Sequence, residues 1–260
     1  MTRRLLLSVG ILLVLALVAA CGGAAPAPTS APTQPPAATP LPAAEGYQGG
    51  TVTNGGTITG TISYGGPPVA PEVVTVDKDN EICGDAIELV SVQTDSTGGL
   101  ANAVVWITEI SSGKPLSELG TSFVLDQKGC VYSPTVVLVP VGAALTVLNS
   151  DGILHNVHTT PFDNPPLNVA QPGTQEEITS DEFTFPELIP VGCDVHQWMH
   201  ATVVVAENPY AAVTAADGSF TLADVPAGTY QVEVWHLELG SQSFQVTVEA
   251  GGTTTQNAEY

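Results

Sequence analysis

Apolar positions along the chain follow two regimes. Leu5 to Ala20 is a single uncharged run of sixteen residues. From Gly50 onward the apolar residues come in short runs rich in Val, Ile and Thr, each closed by Gly, Pro, Asn or Asp. Thr57 to Tyr64 ends at Gly65-Gly66-Pro67-Pro68, Val136 to Val139 stops at Pro140, and Ala144 to Leu148 stops at Asn149-Ser150-Asp151-Gly152. Ala103 to Ile107, Ala201 to Val205 and Tyr230 to Trp235 are of the same kind. β-Branched side chains suit a pleated, half-buried surface, and closely spaced turns leave no room for crossover helices. The pattern predicts an all-β chain built of β-sandwiches. Short helical turns are predicted at 80–89 and 115–120, and no repeat stands out.

Residues 22–46 fit neither regime. They hold seven prolines and one charge, Glu45, so they form no core and favour extended polyproline II. At about 3.1 Å per residue such a linker reaches ~78 Å. The run before it reads as an export signal: Arg3-Arg4 precedes it, and Leu17-Val18-Ala19-Ala20-Cys21-Gly22 ends it. That order of small residues and a cysteine resembles the bacterial lipobox. Cys21 is then the lipidated first residue of an extracytoplasmic protein anchored to the cell membrane. Thr2-Arg3-Arg4-Leu5-Leu6 also resembles a twin-arginine signal, so either export route stays open.

Composition narrows the function classes. The chain is 43% hydrophobic and 12% charged, enough apolar surface for a core and too few charges for helical bundles. It carries 26 acidic residues against 5 basic ones. Once the leader is removed, only Lys78, Lys114 and Lys128 remain as cations. Phosphate backbones need a basic surface, so nucleic acid is excluded as a partner. The charge suits a solvated surface and a cationic partner.

The chemistry concentrates in two segments. One is Cys193-Asp194-Val195-His196-Gln197-Trp198-Met199, and the other is Leu154-His155-Asn156-Val157-His158. Met199 is the only methionine after the leader, and four of the five histidines lie in or beside these segments. Two imidazoles, a thiolate and a weak axial thioether form the blue-copper donor set. Cys193 leaves one strand and Met199 approaches the next, so a tight loop turns three donors toward one centre. His158 and His200 read as flanking surface residues, and His236 as structural.

The spacing Cys-x-x-His-x-x-Met after a His-Asn-Val-His segment resembles the cupredoxins with the short ligand loop, the amicyanin type within the wider plastocyanin group. The resemblance covers roughly residues 100–206. It implies a Greek-key cupredoxin β-sandwich holding one mononuclear type 1 copper, with His155, Cys193, His196 and Met199 as metal ligands. It also implies that Asn156 ties the upstream loop to the residue after the cysteine. That residue is Asp194 here, where a hydroxyl side chain is usual, which puts the tie in question. Trp198 is expected to pack over the loop, an apolar docking face around His196 being the alternative. A dinuclear centre would need a second cysteine in the loop, and multicopper oxidases need paired His-x-His motifs; neither is present. Structural zinc rarely uses methionine.

Cys83 and Cys130 remain after these assignments. In an oxidising location an even pair reads as a disulfide, the alternative being further metal ligands. Asp217-Gly218-Ser219-Phe220-Thr221-Leu222 followed by Val225-Pro226-Ala227-Gly228-Thr229-Tyr230 resembles the carboxypeptidase regulatory-like domain, a transthyretin-like β-sandwich. The organisation expected is a signal peptide (1–20), a linker (21–50), N-terminal strands (51–99), a cupredoxin domain (100–206) and a regulatory-like domain (207–260). Either residues 51–75 supply the missing first strands of the last sandwich, with the copper domain inserted into it, or residues 51–99 extend the copper domain.

The function expected is a one-electron carrier and not an enzyme, since no nucleophile–base pair or phosphate loop stands out. Its redox partner would be a basic protein such as a c-type cytochrome. The other readings are copper capture or delivery, and a cell-surface sandwich with a vestigial site. The anchor has a direct test. Cys21→Ser is expected to shift the protein from the membrane fraction to the soluble fraction, and unchanged fractionation would refute lipidation at Cys21.

Overall fold

Two β-sandwiches share one chain, and the first is interrupted in sequence by the second. The computed structural model describes residues 46–260; the leader, Cys21 and most of the linker lie outside them. The first sandwich, here the host, pairs Ala211–Val213, Val104–Ile107, Gly228–His236 and Gly240–Val248 in one sheet. Its second sheet orders Ser219–Val225, Gly56–Ser63 and Thr253–Thr255, with Ala258–Glu259 also on Gly56–Ser63. Gly56–Ser63 alternates buried and partly exposed positions, burying Ile58 and Ile62 against Leu222 and Val232. Gly218, at φ +76°, makes the tight entry to this sheet. A Cβ there would lie 2.1 Å from the Ile62 carbonyl oxygen, so no other residue fits without a shift.

The second sandwich is inserted between host strands Val104–Ile107 and Ala211–Val213. Those two strands are antiparallel neighbours, Trp106 opposite Ala211, so the insertion enters and leaves at one point. One inserted sheet orders Glu177–Thr179, Thr146–Asn149, Val124–Gln127 and Tyr132–Ser133. The other orders Asn168–Gln171, His155–Thr159, Glu187–Gly192, His200–Ala206 and Val136–Pro140. Their facing side chains, among them Leu125, Val147, Val157, Ile189 and Val203, form its core.

A second excursion leaves the host after Ser63. It forms the antiparallel hairpin Glu72–Thr75 with Ala86–Leu89, and its tip is the one-turn helix Asn80–Cys83. This strap packs on the inserted sandwich, burying Val76, Cys83 and Ile87 in its core. Cys83 forms a disulfide with Cys130. The second predicted turn is a 3-10 helix, Leu116–Leu119.

The expected boundaries therefore shift. Val104–Ile107 belongs to the host sheet and not to a domain starting at 100. Its residues are buried on both faces: Val105 and Ile107 point into the host core, and Val104 and Trp106 into the contact with the inserted sandwich. Such a strand reads as central in whichever sandwich it is placed. Residues 51–99 divide, Gly56–Ser63 lying in the host and 72–89 on the inserted sandwich. The linker also ends before residue 50. Gln48–Gly49 pairs with Ser112–Gly113, and the Tyr47 hydroxyl donates to the Lys114 carbonyl at 2.6 Å. Among the described residues no helix is long and apolar enough to cross a membrane.

His236 ends a host strand with 3% of its surface exposed. Its Nδ1 accepts from the Glu238 N–H at 3.2 Å, a role that needs the neutral ring. Burial pushes its pKa down to about 4. The unfolded imidazole titrates near 6.5, so the unfolded chain takes up the proton first as pH falls. The stability held by neutral His236 is full above about pH 6.5 and declines toward pH 4, by up to ~3 kcal/mol. His236→Gln is expected to lose less stability than the wild type between pH 7 and 4.5 in chemical denaturation. Equal losses would clear His236 of the effect.

Candidate metal centre

The site lies at one end of the inserted sandwich, where two loops meet. His155 opens the strand His155–Thr159 after the turn Asn149–Gly152. The Asn149 amide fixes that turn by donating to the carbonyls of Ile153, at 2.8 Å, and Gln171, at 3.1 Å. Cys193 directly follows the strand Glu187–Gly192, and Met199 directly precedes His200–Ala206. The loop closes on itself, the Met199 N–H donating to the His196 carbonyl at 2.9 Å.

His155, Cys193 and His196 converge: one ligand atom from each lies within 4.8 Å of the others, and all three residues are buried. The two imidazoles face each other through Nδ1, 3.0 Å apart. Met199 is fully buried in the same core as Cys193. Asp151, Cys130 and His155 also cluster, but the Cys130 sulfur is committed to the disulfide.

The other nitrogen of each imidazole meets a carboxylate. His155 Nε2 lies 2.9 Å from Asp151 Oδ2, and His196 Nε2 lies 2.9 Å from Asp79 Oδ2. A carboxylate accepts from the proton-bearing nitrogen, so a neutral ring in this pose has its proton on Nε2 and a lone pair at Nδ1. Two lone pairs 3.0 Å apart in a buried site repel unless a cation lies between them. Imidazole nitrogens bound to one ion at about 2.0–2.1 Å stand roughly 3 Å apart when they subtend about a right angle. The donors thus fit a shared metal ion. Burial holds His155 below its usual pKa, with Asp151 opposing, and this favours the neutral ring that ligation requires.

The thiol is held from two sides. Cys193 Sγ accepts the N–H of Asn156 at 3.3 Å and of His196 at 3.4 Å. The Tyr132 hydroxyl, fully buried, reaches the carbonyls of Asn156 at 2.6 Å and Gly192 at 3.0 Å, linking the two ligand strands. Its ionisation is pushed up, chiefly by burial, so it stays a neutral donor. Asn156 Oδ1 accepts the Asp194 N–H at 3.1 Å. The tie between the loops therefore runs through the backbone amide, which Asp194 supplies as well as any residue would. The Asp194 carboxylate turns outward to His158 Nδ1, 2.9 Å away, where both side chains are solvated.

The alternative, a docking face around His196, is absent from this arrangement. The imidazole is wholly buried, flanked by Trp198 at 5.2 Å between ring centres and covered by Asp79. Trp198 turns inward, its Nε1 donating to the Cys130 carbonyl at 2.9 Å. Sequence reasoning also missed both carboxylates. Asp151 reads as a turn residue, although it stands four residues before His155. Asp79 lies 117 residues from His196 and carries no local signal.

Comparison with known proteins bears on the host sandwich. Residues 199–259 match the carboxypeptidase regulatory-like domain. The match takes in the C-terminal host strands, while Gly56–Ser63 and Val104–Ile107 lie ahead of it. No curated protein matches the chain. Similar solved structures include an oxidised amicyanin mutant, 24% identical, covering 33% of this chain and 82% of its own, at a TM-score of 0.29. A purple cupredoxin from Nitrosopumilus maritimus is 20% identical, covering 34% and 100%, at 0.28. A copper-containing nitrite reductase from Thermus scotoductus is 17% identical, covering 57% and 28%, at 0.30.

Proposed function

We propose that the chain is a lipid-anchored, extracytoplasmic type 1 copper protein that carries single electrons. One observation carries this reading: two buried imidazole Nδ1 atoms 3.0 Å apart, with a buried cysteine sulfur within 4.8 Å. His155 and His196 would hold the ion through Nδ1 and Cys193 through Sγ, with Met199 as the weak axial donor. Copper, when bound, supplies the one-electron couple. The chain supplies a frame that changes little between the two oxidation states. Asp151 and Asp79 fix the ring orientations, Tyr132 and Asn156 lock the ligand strands together, and two N–H groups steady the sulfur. Full burial of the donors argues against copper delivery, which needs donors that open to exchange. A complete donor set with both rings oriented argues against a vestigial site.

Adding Cu(II) to the purified protein is expected to give the intense visible band of thiolate-to-copper charge transfer. Cys193→Ser should abolish it. Met199→Leu should keep a coloured site at an altered reduction potential, because the axial bond is weak. A pale wild-type complex, or a band that survives in the Cys193 variant, would overturn the assignment.

The acidic surface supports a cationic redox partner such as a basic c-type cytochrome. Attraction between exposed charges is screened beyond about 8 Å at physiological salt. Electron transfer to a basic cytochrome is expected to slow as salt is added, and transfer to an acidic acceptor to quicken. A flat response with both would leave the charge a role in solubility alone.

A further inference from the structure

The strap ends where the metal centre would otherwise open to water. We propose that Asp79 is a positioning residue for the ligand His196, and that the strap carrying it closes the centre and is locked there by the Cys83–Cys130 disulfide. The proposal rests on the copper reading for the ligand role of His196.

Asp79 starts the one-turn helix Asn80–Cys83, where an aspartate usually accepts helix N–H groups through its side chain. Here the carboxylate makes no such bond. The Ile82 N–H, which a capping side chain would take, goes to the Asp79 carbonyl at 2.9 Å beside the ordinary helical bond from Cys83, and the carboxylate faces His196 Nε2. Asp79 holds this place with a left-handed backbone, φ 56°, a conformation that non-glycine residues adopt rarely. A diverted cap in an uncommon conformation is a local cost with no local return. The return lies on the imidazole.

The carboxylate also forms the outer surface of the centre. Its side chain is 38% exposed, while the imidazole beneath it is 0% exposed. The hairpin is built to be held rather than to pack all round: Val76 and Ile87 are buried in the inserted core, while Val73 and Ile82 face solvent. The disulfide supplies the rest of the hold. Cys83 lies one helical turn after Asp79. Cys130 donates its N–H at 2.8 Å to Asp151, the carboxylate on His155. The covalent bridge thus ties the strap that carries Asp79 to the loop whose backbone N–H holds Asp151.

Changing a hydrogen-bond partner of a metal-bound histidine costs about 10–100-fold in metal affinity. The test follows copper loss from the full-length protein to excess chelator, read through the thiolate-to-copper band. Asp79→Ala is expected to lose copper at least about tenfold faster than the wild type. Asp79→Asn, whose amide oxygen still accepts from Nε2–H, should stay within a few-fold of the wild type. Ile82→Ala, exposed on the same turn, should match it. A wild-type rate and spectrum for Asp79→Ala would overturn the proposal, as would an Asp79→Asn variant that fails as Asp79→Ala does.

Failure of the copper reading shows separately, as a wild type with no such band. The closing role is then read in metal-free protein from alkylation of buried Cys193 by iodoacetamide. Alkylation is expected to quicken several-fold in Asp79→Ala, and again when Cys83 and Cys130 are both replaced by Ser. Unchanged alkylation in both variants would overturn the closing role.

Discussion

Two buried imidazole Nδ1 atoms held 3.0 Å apart are the constraint on which the candidate site depends. Neither ring can turn away to water, because both are wholly buried. A neutral ring cannot move its proton to the inner nitrogen without giving up the carboxylate on the outer one. The opposed nitrogens are therefore kept in place by groups that lie behind them. The buried neutral tyrosine hydroxyl on two ligand-strand carbonyls and the amide tie of Asn156 apply the same logic to the backbone. Each replaces a freedom of the ligand loops with a bond to the sandwich.

The architecture follows from where those groups must come from. A single sandwich supplies the candidate donors His155, Cys193, His196 and Met199 from its own strand ends. It does not supply the carboxylate on His196. That arrives on a strap from the host sandwich, which makes the host part of the centre's construction as well as its neighbour. The host sends out two excursions, one carrying the candidate donors and one carrying Asp79. The disulfide joins them at their far ends, where no strand pairing does.

Much of this was legible in the sequence. The short β-branched runs marked the strands, and Gly218 and the Gly-Pro clusters marked the turns. The Cys193–Met199 loop stood out because rare residue types, a cysteine and the only methionine besides Met1, fall close together. The pairing of Cys83 with Cys130 followed from the arithmetic of four cysteines. What stayed hidden was long-range. Asp79 sits in an acidic chain where one aspartate resembles the next, and only the folded strap shows which one meets a ligand. Val104–Ile107 was placed in the wrong sandwich because a strand buried on both faces has no alternation to say which core it serves. The burial of His196 was misjudged for the same reason as Asp79, since its cover comes from another part of the chain.

The strand that follows the ligand loop has a consequence for how the molecule can be taken apart. Along His200–Ala206 every residue after the first is buried: Ala201, Val203 and Val205 face the inserted core, while Val204 and Ala206 meet Val104, Trp106 and Trp235 of the host. Leu138 and Leu188 pack against the same seam. A fragment cut to the inserted sandwich alone would present this seam to water as a continuous oily stripe, and the host would be left with its tryptophans bare. The two sandwiches are thus poor modules: recombination or truncation between them would trade a shared interior for two sticky surfaces, and the unit that can be inherited, expressed or exchanged is the pair.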